Sequence, residues 1–94
     1  MIVAILTYKV PLDVVDAHRP AHLDWLNDCL AQGRLLAAGR TSPATGGVIM
    51  MRGARAEAEA LLKDDPFAIH GVADYDIHEF EPRLVAPGLD ALAE

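Results

Sequence analysis

Arg34-Leu35-Leu36-Ala37-Ala38-Gly39-Arg40, a connection over Thr41 to Gly47, and Gly47-Val48-Ile49-Met50-Met51-Arg52 stand in the middle of the chain. The two flanking runs are short and apolar, as strands are. The connection holds Thr, Ser, Pro and Gly, the residues that set turn geometry. So short a link joins antiparallel neighbours, and the stretch predicts a β-hairpin. This hairpin decides the fold, because a helical pattern flanks it on each side and a strand pattern lies beyond each helix.

On the N-terminal side, Asp13 to Gln32 has helical spacing. Leu23, Leu26 and Leu30 recur at i, i+3 and i+7, with Arg19 and His22 close to the same stripe. Asp24, Asn27, Asp28 and Gln32 take the other side. Asp13 or Asp16 is expected to cap the start, and Gly33 to stop the end. Pro20 costs little in a helix that begins just before it, but should kink one that begins at Asp13. Ahead of this helix, Met1 to Lys9 is a continuous β-rich apolar run ended by Pro11. It predicts a central strand buried on both faces.

On the C-terminal side, Ala54 to Lys63 predicts a second helix with Ala54, Ala58, Leu61 and Leu62 inward. Asp64-Asp65-Pro66-Phe67 follows, where Asp65 and Pro66 form an N-cap and first-position pair and Gly71 can end a single turn. Val72 to Phe80 then alternates: Val72, Ala73, Tyr75, Ile77 and Phe80 are candidates for burial, while Asp74, Asp76, His78 and Glu81 face water. The order is βαββαβ. That is an α+β, ferredoxin-like plan, with one four-stranded antiparallel sheet and both helices on one face. The domain is expected over residues 1–82, followed by a tail over 83–94 in which Leu84, Val85, Leu89 and Leu92 can dock weakly.

The 94 residues are 52% hydrophobic and 23% charged, which suits one packed domain. In this plan one sheet face stays open, so a second copy is expected to cover it, sheet against sheet, as a homodimer. The formal charge is −6 and the basic residues are scattered. Nucleic-acid binding needs a concentrated positive surface, which is missing, and anionic membranes are disfavoured for the same reason. The first apolar run is too short for a membrane span and has no basic region ahead of it, so a cytoplasmic location is the expectation. Cys29 is the one cysteine, so no intrachain disulfide forms, and its helical setting suits a small buried hydrophobe.

Four histidines and their acidic neighbours are the candidates for chemistry. His18 and His22 have the i, i+4 spacing that can place two imidazoles on one metal. No Glu lies between them in the zincin arrangement and no third ligand is close, so no metal site is predicted. His78 lies in the outward register of the last strand, and His70 in the capped turn. His22, at the inner edge of the first helix, can be a satisfied core residue or a functional one. Asp65 can be a cap alone or a site carboxylate. Residue types leave both alternatives open.

Arg19-Pro20-Ala21-His22-Leu23, the run Gly33 to Gly39, the pair Gly46-Gly47, and Asp65-Pro66-Phe67 with Gly71 occur in a telling order. In these stretches the chain resembles the YciI-like (YCII-related) family, within the dimeric α/β-barrel group that includes muconolactone isomerase-like proteins. The likeness covers about residues 1–82. It implies a histidine/aspartate-centred active site between sheet and helices, and motif position assigns that pair to His22 and Asp65. One branch of the family is linked to dehydrochlorination of a chlorinated hydroxyhydroquinone.

Histidine takes and returns protons near neutral pH, and a carboxylate on one ring nitrogen fixes its tautomer. Under this resemblance His22 is the general base and acid, and Asp65 orients it. Asp65 is expected to cap the Pro66 turn with one carboxylate oxygen and to face His22 with the other. Arg19 and Ser42 are candidates to bind substrate oxygens. Trp25 is expected to pack in the core or an interface. The predicted function is cofactor-independent proton transfer, by isomerisation or elimination, dehydrohalogenation included, on a small cyclic or aromatic metabolite. The alternative is a non-catalytic ligand-binding or accessory dimeric domain. A third reading makes His22 and Asp65 packing and capping residues.

Overall fold

The computed structural model describes residues 1–93. Strands β1 (Ile2–Tyr8), β2 (Leu35–Arg40), β3 (Gly46–Met51) and β4 (Ala73–Glu79) form one sheet. Helix α1 (Leu12–Ala31) links β1 to β2, while α2 (Arg55–Leu62) and the single turn α3 (Pro66–Ile69) link β3 to β4. The sheet order is β2-β3-β1-β4 with every neighbouring pair antiparallel. This is the ferredoxin-like order expected from the central hairpin.

Register decides what faces the helices. Ile2 pairs with Met51, Ala4 with Ile49 and Leu6 with Gly47, while on the other edge of β1 Leu6 pairs with Tyr75 and Ala4 with Ile77. These positions share the inner face. Ile2, Ala4, Leu6, Ile49 and Met51 meet Val15, Leu26, Cys29, Ala58, Leu62 and Phe67 in one core. Full burial of each large aliphatic there contributes about 1.5–3 kcal/mol. Glycine is required at Gly46, where a Cβ would stand 1.7 Å from the Leu6 carbonyl oxygen, so the close pairing of β3 with β1 excludes any side chain.

Several expectations are corrected by this packing. β1 is central, but both helices lie on one side of it, so Val3 is half-buried and Ile5 is 40% exposed on the open face. The inward stripe of α1 is Val15, Leu26 and Cys29, with His22 between them; Leu23 and Leu30 are 42% and 54% exposed. The start of α1 is capped by neither Asp13 nor Asp16. Pro11 occupies the N-cap in extended conformation with no side-chain cap, Asp13 lies in the first turn, and Asp16 lies within the helix. The helix runs unbroken through Pro20, which sits on the exposed side where solvent can take the backbone bond it cannot make. Ala54 is the exposed N-cap of α2 rather than part of its inner stripe.

The end of α1 follows its glycine. Gly33 has φ +73°, its N–H donates to the Leu30 carbonyl at 3.1 Å, and the Arg34 N–H donates to the Cys29 carbonyl at 3.0 Å. This paired motif closes the helix and turns the chain into β2. Beyond β4 the tail holds a short 3-10 turn at Asp90–Leu92, and the Arg52 guanidinium donates to the Ala91 carbonyl at 3.2 and 2.8 Å. Phe80, a candidate for burial, is instead 47% exposed just beyond the end of β4, and Leu84 remains almost wholly exposed. Among the described residues no helix is long and apolar enough to cross a membrane.

Candidate active site

Asp65 is the one buried charged residue among those described, with 0% exposure. It is the N-cap of α3, and Pro66 at the first helical position presets the turn. Its carboxylate gathers three elements. Oδ1 accepts the Phe67 backbone N–H at 3.0 Å and lies 2.7 Å from His22 Nδ1 on α1. Oδ2 accepts the Tyr75 hydroxyl from β4 in a short hydrogen bond. The expected division of labour, with one oxygen for the cap and the other for His22, is therefore corrected. One oxygen does both, because the α3 amide and the α1 imidazole approach from the same side, and the second oxygen is taken by a tyrosine.

A carboxylate that accepts from all three groups leaves the His22 proton on Nδ1. In the neutral ring the other nitrogen, Nε2, is then a lone-pair acceptor. It has no protein partner among the described residues, and the His22 ring lines a cleft between α1 and the inner sheet face. The Phe67 ring lies flat against the imidazole, with centroids 3.9 Å apart and planes 4° apart. His22 keeps only 11% side-chain exposure. The imidazole is thus fixed by a carboxylate on its edge and a ring on its face.

The cleft has a volume of about 130 Å³. Its walls are mainly apolar, with Leu6, Leu26 and Ile49 among them, and Arg19, Tyr8 and Arg40 supply polar groups. Burial, followed by the hydrogen bond to Asp65 and the charge of that carboxylate, pushes the Tyr75 hydroxyl well above the usual phenol range. Tyr75 therefore stays a donor. Burial, then the charge of Asp28, raises the Cys29 thiol, which marks it as a packed residue rather than a nucleophile.

His22 and Asp65, predicted as a pair, are in direct contact, and Arg19 lies on the cleft wall. Ser42 is not brought there. It is exposed in the β2–β3 turn, before a cis peptide bond to Pro43, and the Thr41 hydroxyl organises that turn through bonds to the Pro43 and Gly46 carbonyls. His18 diverges from His22 and stacks on His70, centroids 4.2 Å apart. No group of three or more His, Cys, Asp or Glu side chains suited to a metal occurs among the described residues. Trp25 is half-buried against the core, with its indole nitrogen buried and unpartnered.

Sequence reasoning did not anticipate Tyr75, Tyr8 or Arg40 as site residues. The available signal for Tyr75 was its inward register in a strand otherwise rich in outward acids. A tyrosine buried by its ring normally finds a partner for its hydroxyl.

No curated protein matches this chain. Among solved structures, the fold is similar to that of 5-chloro-2-hydroxyhydroquinone dehydrochlorinase from Burkholderia phenoliruptrix in complex with 2,5-dihydroxybenzoquinone, with a TM-score of 0.70 and 21% identity over 86% of this chain and 94% of that one. At that identity the likeness is one of fold. A sequence model of the YCII-related domain matches residues 1–81, and with most of its length so matched the chain belongs to the YCII-related family.

Proposed function

We propose that the chain is a small-molecule enzyme that moves protons with His22 as base and acid. The observation that carries the reading is the 2.7 Å contact between His22 Nδ1 and a carboxylate with no exposure, in a ring that lines the cleft. Nε2 takes a proton from a carbon or hydroxyl of the substrate, and the Asp65 charge stabilises the imidazolium that forms. In an isomerisation the proton returns to a different atom. In an elimination the electron pair released by the lost proton expels a leaving group such as chloride. Tyr75 holds Asp65 in place from the side opposite the cap.

The substrate class is a small cyclic or aromatic compound. The similar structure is that of a dehydrochlorinase acting on a chlorinated hydroxyhydroquinone, which makes elimination from a substituted ring the first chemistry to assay. The open sheet face, with Val3 and Met50 half-buried and Ile5 exposed, suits a homodimer that covers it with a second copy.

The test is deuterium exchange and product formation with substituted hydroquinones and small cyclic ketones in D2O, comparing the protein with its His22→Gln variant. Exchange or turnover that disappears in a folded His22→Gln variant supports the reading. Ligand binding without exchange or turnover would establish the non-catalytic alternative instead.

A further inference from the structure

Proton transfer by His22 leaves the other end of the cleft without a task. Arg40 ends β2, and strict alternation from Leu35 would aim it at the open face. A register shift between Leu35 and Ala37 changes that, so that Ala38 pairs with Ile49 and Arg40 with Gly47, both inner-face positions. Irregularities of this kind re-aim side chains beside functional sites. Here the shift delivers a guanidinium to the cleft wall.

Arg40 is held at that wall by two contacts. Its Nε donates to the Tyr8 hydroxyl at 3.3 Å, and its Nη2 donates to Asp16 Oδ1 at 2.8 Å. Tyr8 meets Phe67 edge-on, with centroids 6.1 Å apart at 89°, and Phe67 lies flat on His22. A continuous series of rings thus spaces the cation from the base. Arg19 is also half-buried on the cleft wall and has no hydrogen bond or ion pair among the described residues. The cleft lining holds two arginines and no carboxylate, in a chain of net charge −6. Arg40 is paired with Asp16, so Arg19 is the lining cation left without a counter-ion among the described residues, and its free guanidinium on the wall it shares with Arg40 points to an anionic ligand.

A guanidinium carries more donors than the two contacts of Arg40 use, and its planar fork matches a carboxylate bidentately. Asp16 is 58% exposed at its side chain and already occupies Nη2 of Arg40 as an internal carboxylate. The cleft volume of about 130 Å³ is close to the ~150 Å³ of an engineered cavity that holds benzene. It therefore suits one six-membered ring with few substituents.

We propose that Arg40, together with Arg19, forms an anion subsite that selects small single-ring carboxylates, and that Asp16 competes with the bound anion for Arg40. The proposal deepens the proton-transfer reading and rests on it for the orientation of the ring towards His22.

The test titrates the full chain with benzoate and with its neutral isostere benzamide, by calorimetry and NMR shifts. The protein is expected to bind benzoate about tenfold more tightly than benzamide, as a charge-assisted bond to Arg40 implies. Arg40→Gln should reduce that preference, weakening benzoate more than benzamide and leaving the remainder to Arg19, and Asp16→Asn should tighten benzoate alone. Equal affinity for the two probes, no binding of either, or an equal loss of both in a folded Arg40→Gln variant would overturn the subsite. If Arg40→Gln does not fold, Asp16→Asn decides: no gain in benzoate affinity overturns the proposal. His22→Gln separates the two ideas, since it should abolish deuterium exchange and keep the benzoate preference. Failure of exchange in the unmodified protein would remove the proton-transfer reading without touching that preference.

Discussion

Replacing Tyr75 by phenylalanine removes one oxygen atom and keeps the ring. In the native fold that oxygen donates to Asp65 Oδ2, inside a carboxylate with no solvent exposure. A hydrogen bond to a charged group contributes about 1.5–3 kcal/mol, and its loss leaves Oδ2 desolvated with no partner. Tyr75→Phe is therefore expected to cost about 2–3 kcal/mol. In a domain of this size about 1 kcal/mol shifts the melting temperature by roughly 4–8 °C, so the drop should reach roughly 8–24 °C. Urea denaturation gives the energy directly as a shift in midpoint at unchanged slope.

The pH dependence of Tyr75→Phe carries its own sign. The folded-state pKa of Tyr75 is raised above its unfolded value of 10.0, first by burial and then by Asp65. Above that pH the unfolded chain releases a proton that the native one keeps, which favours unfolding. The advantage of the native protein over Tyr75→Phe should therefore be constant from neutral pH to about 10 and shrink as pH rises further. Phenolate absorbance from Tyr75 should appear only as the protein unfolds. A Tyr75→Phe variant within about 0.5 kcal/mol of the native protein, with no such alkaline convergence, would refute the claim that Tyr75 anchors Asp65.

Asp65→Asn keeps an oxygen for the Phe67 N–H but removes the charge beside His22, so it should remain folded and lose turnover by about 100-fold or more, measured as deuterium exchange per active chain. A folded variant with native turnover would show that the charge does no catalytic work. Gly46→Ala would place a Cβ 1.7 Å from the Leu6 carbonyl, so β1 and β3 must part; a stability loss of about 3 kcal/mol or more is expected from urea titration. Cys29 is buried and its thiol raised by burial, so a disulfide reagent should modify it only at the rate of unfolding; fast labelling of native protein would contradict the packing of α1. Arg40→Gln and Asp16→Asn should move benzoate affinity in opposite directions, loss for the first and gain for the second, in calorimetric titration.

The strand and helix order was legible because burial leaves periodic marks. The hairpin around Thr41 to Gly47, the alternation of β4 and the cap of α3 at Asp65 are local signals, and each is found where the sequence predicts it. The stripe of α1 was legible only in part. Leucines stand on both flanks of His22, and periodicity cannot say which flank meets the sheet; the sheet buries Val15, Leu26 and Cys29 and leaves Leu23 exposed at the cleft. Strand β1 looked doubly buried because its outer residues are apolar, although the helices of one chain cover only its inner face. Tyr75 and Arg40 reach the site through register, Tyr75 opposite Leu6 and Arg40 opposite Gly47. The shift that turns Arg40 inward depends on pairing between strands, so alternation within β2 could not reveal it.

What most favours a working site over a purely structural one is the excess of Asp65 over its structural task. Capping a single turn needs one oxygen at the surface, and an exposed aspartate serves. Here the carboxylate is withdrawn from solvent, which costs several kcal/mol before its partners act. Three donors from α1, α3 and β4 must then be in register to offset that cost. A well-packed apolar residue in such a position is often neutral or stabilising by comparison, so stability alone gives little reason for the charge. Of its partners, two are spent on holding the carboxylate. The third, His22, passes its influence on, because a fixed Nδ1–H leaves Nε2 as the basic atom of a ring that lines the cleft. Rigid support of that kind is what a general base requires, since a proton is transferred only over hydrogen-bonding distance. The same reasoning explains why the site and the core share Phe67: one ring fills the interior and lies flat on the imidazole, so the packing that stabilises the fold also sets the orientation of the His22 ring.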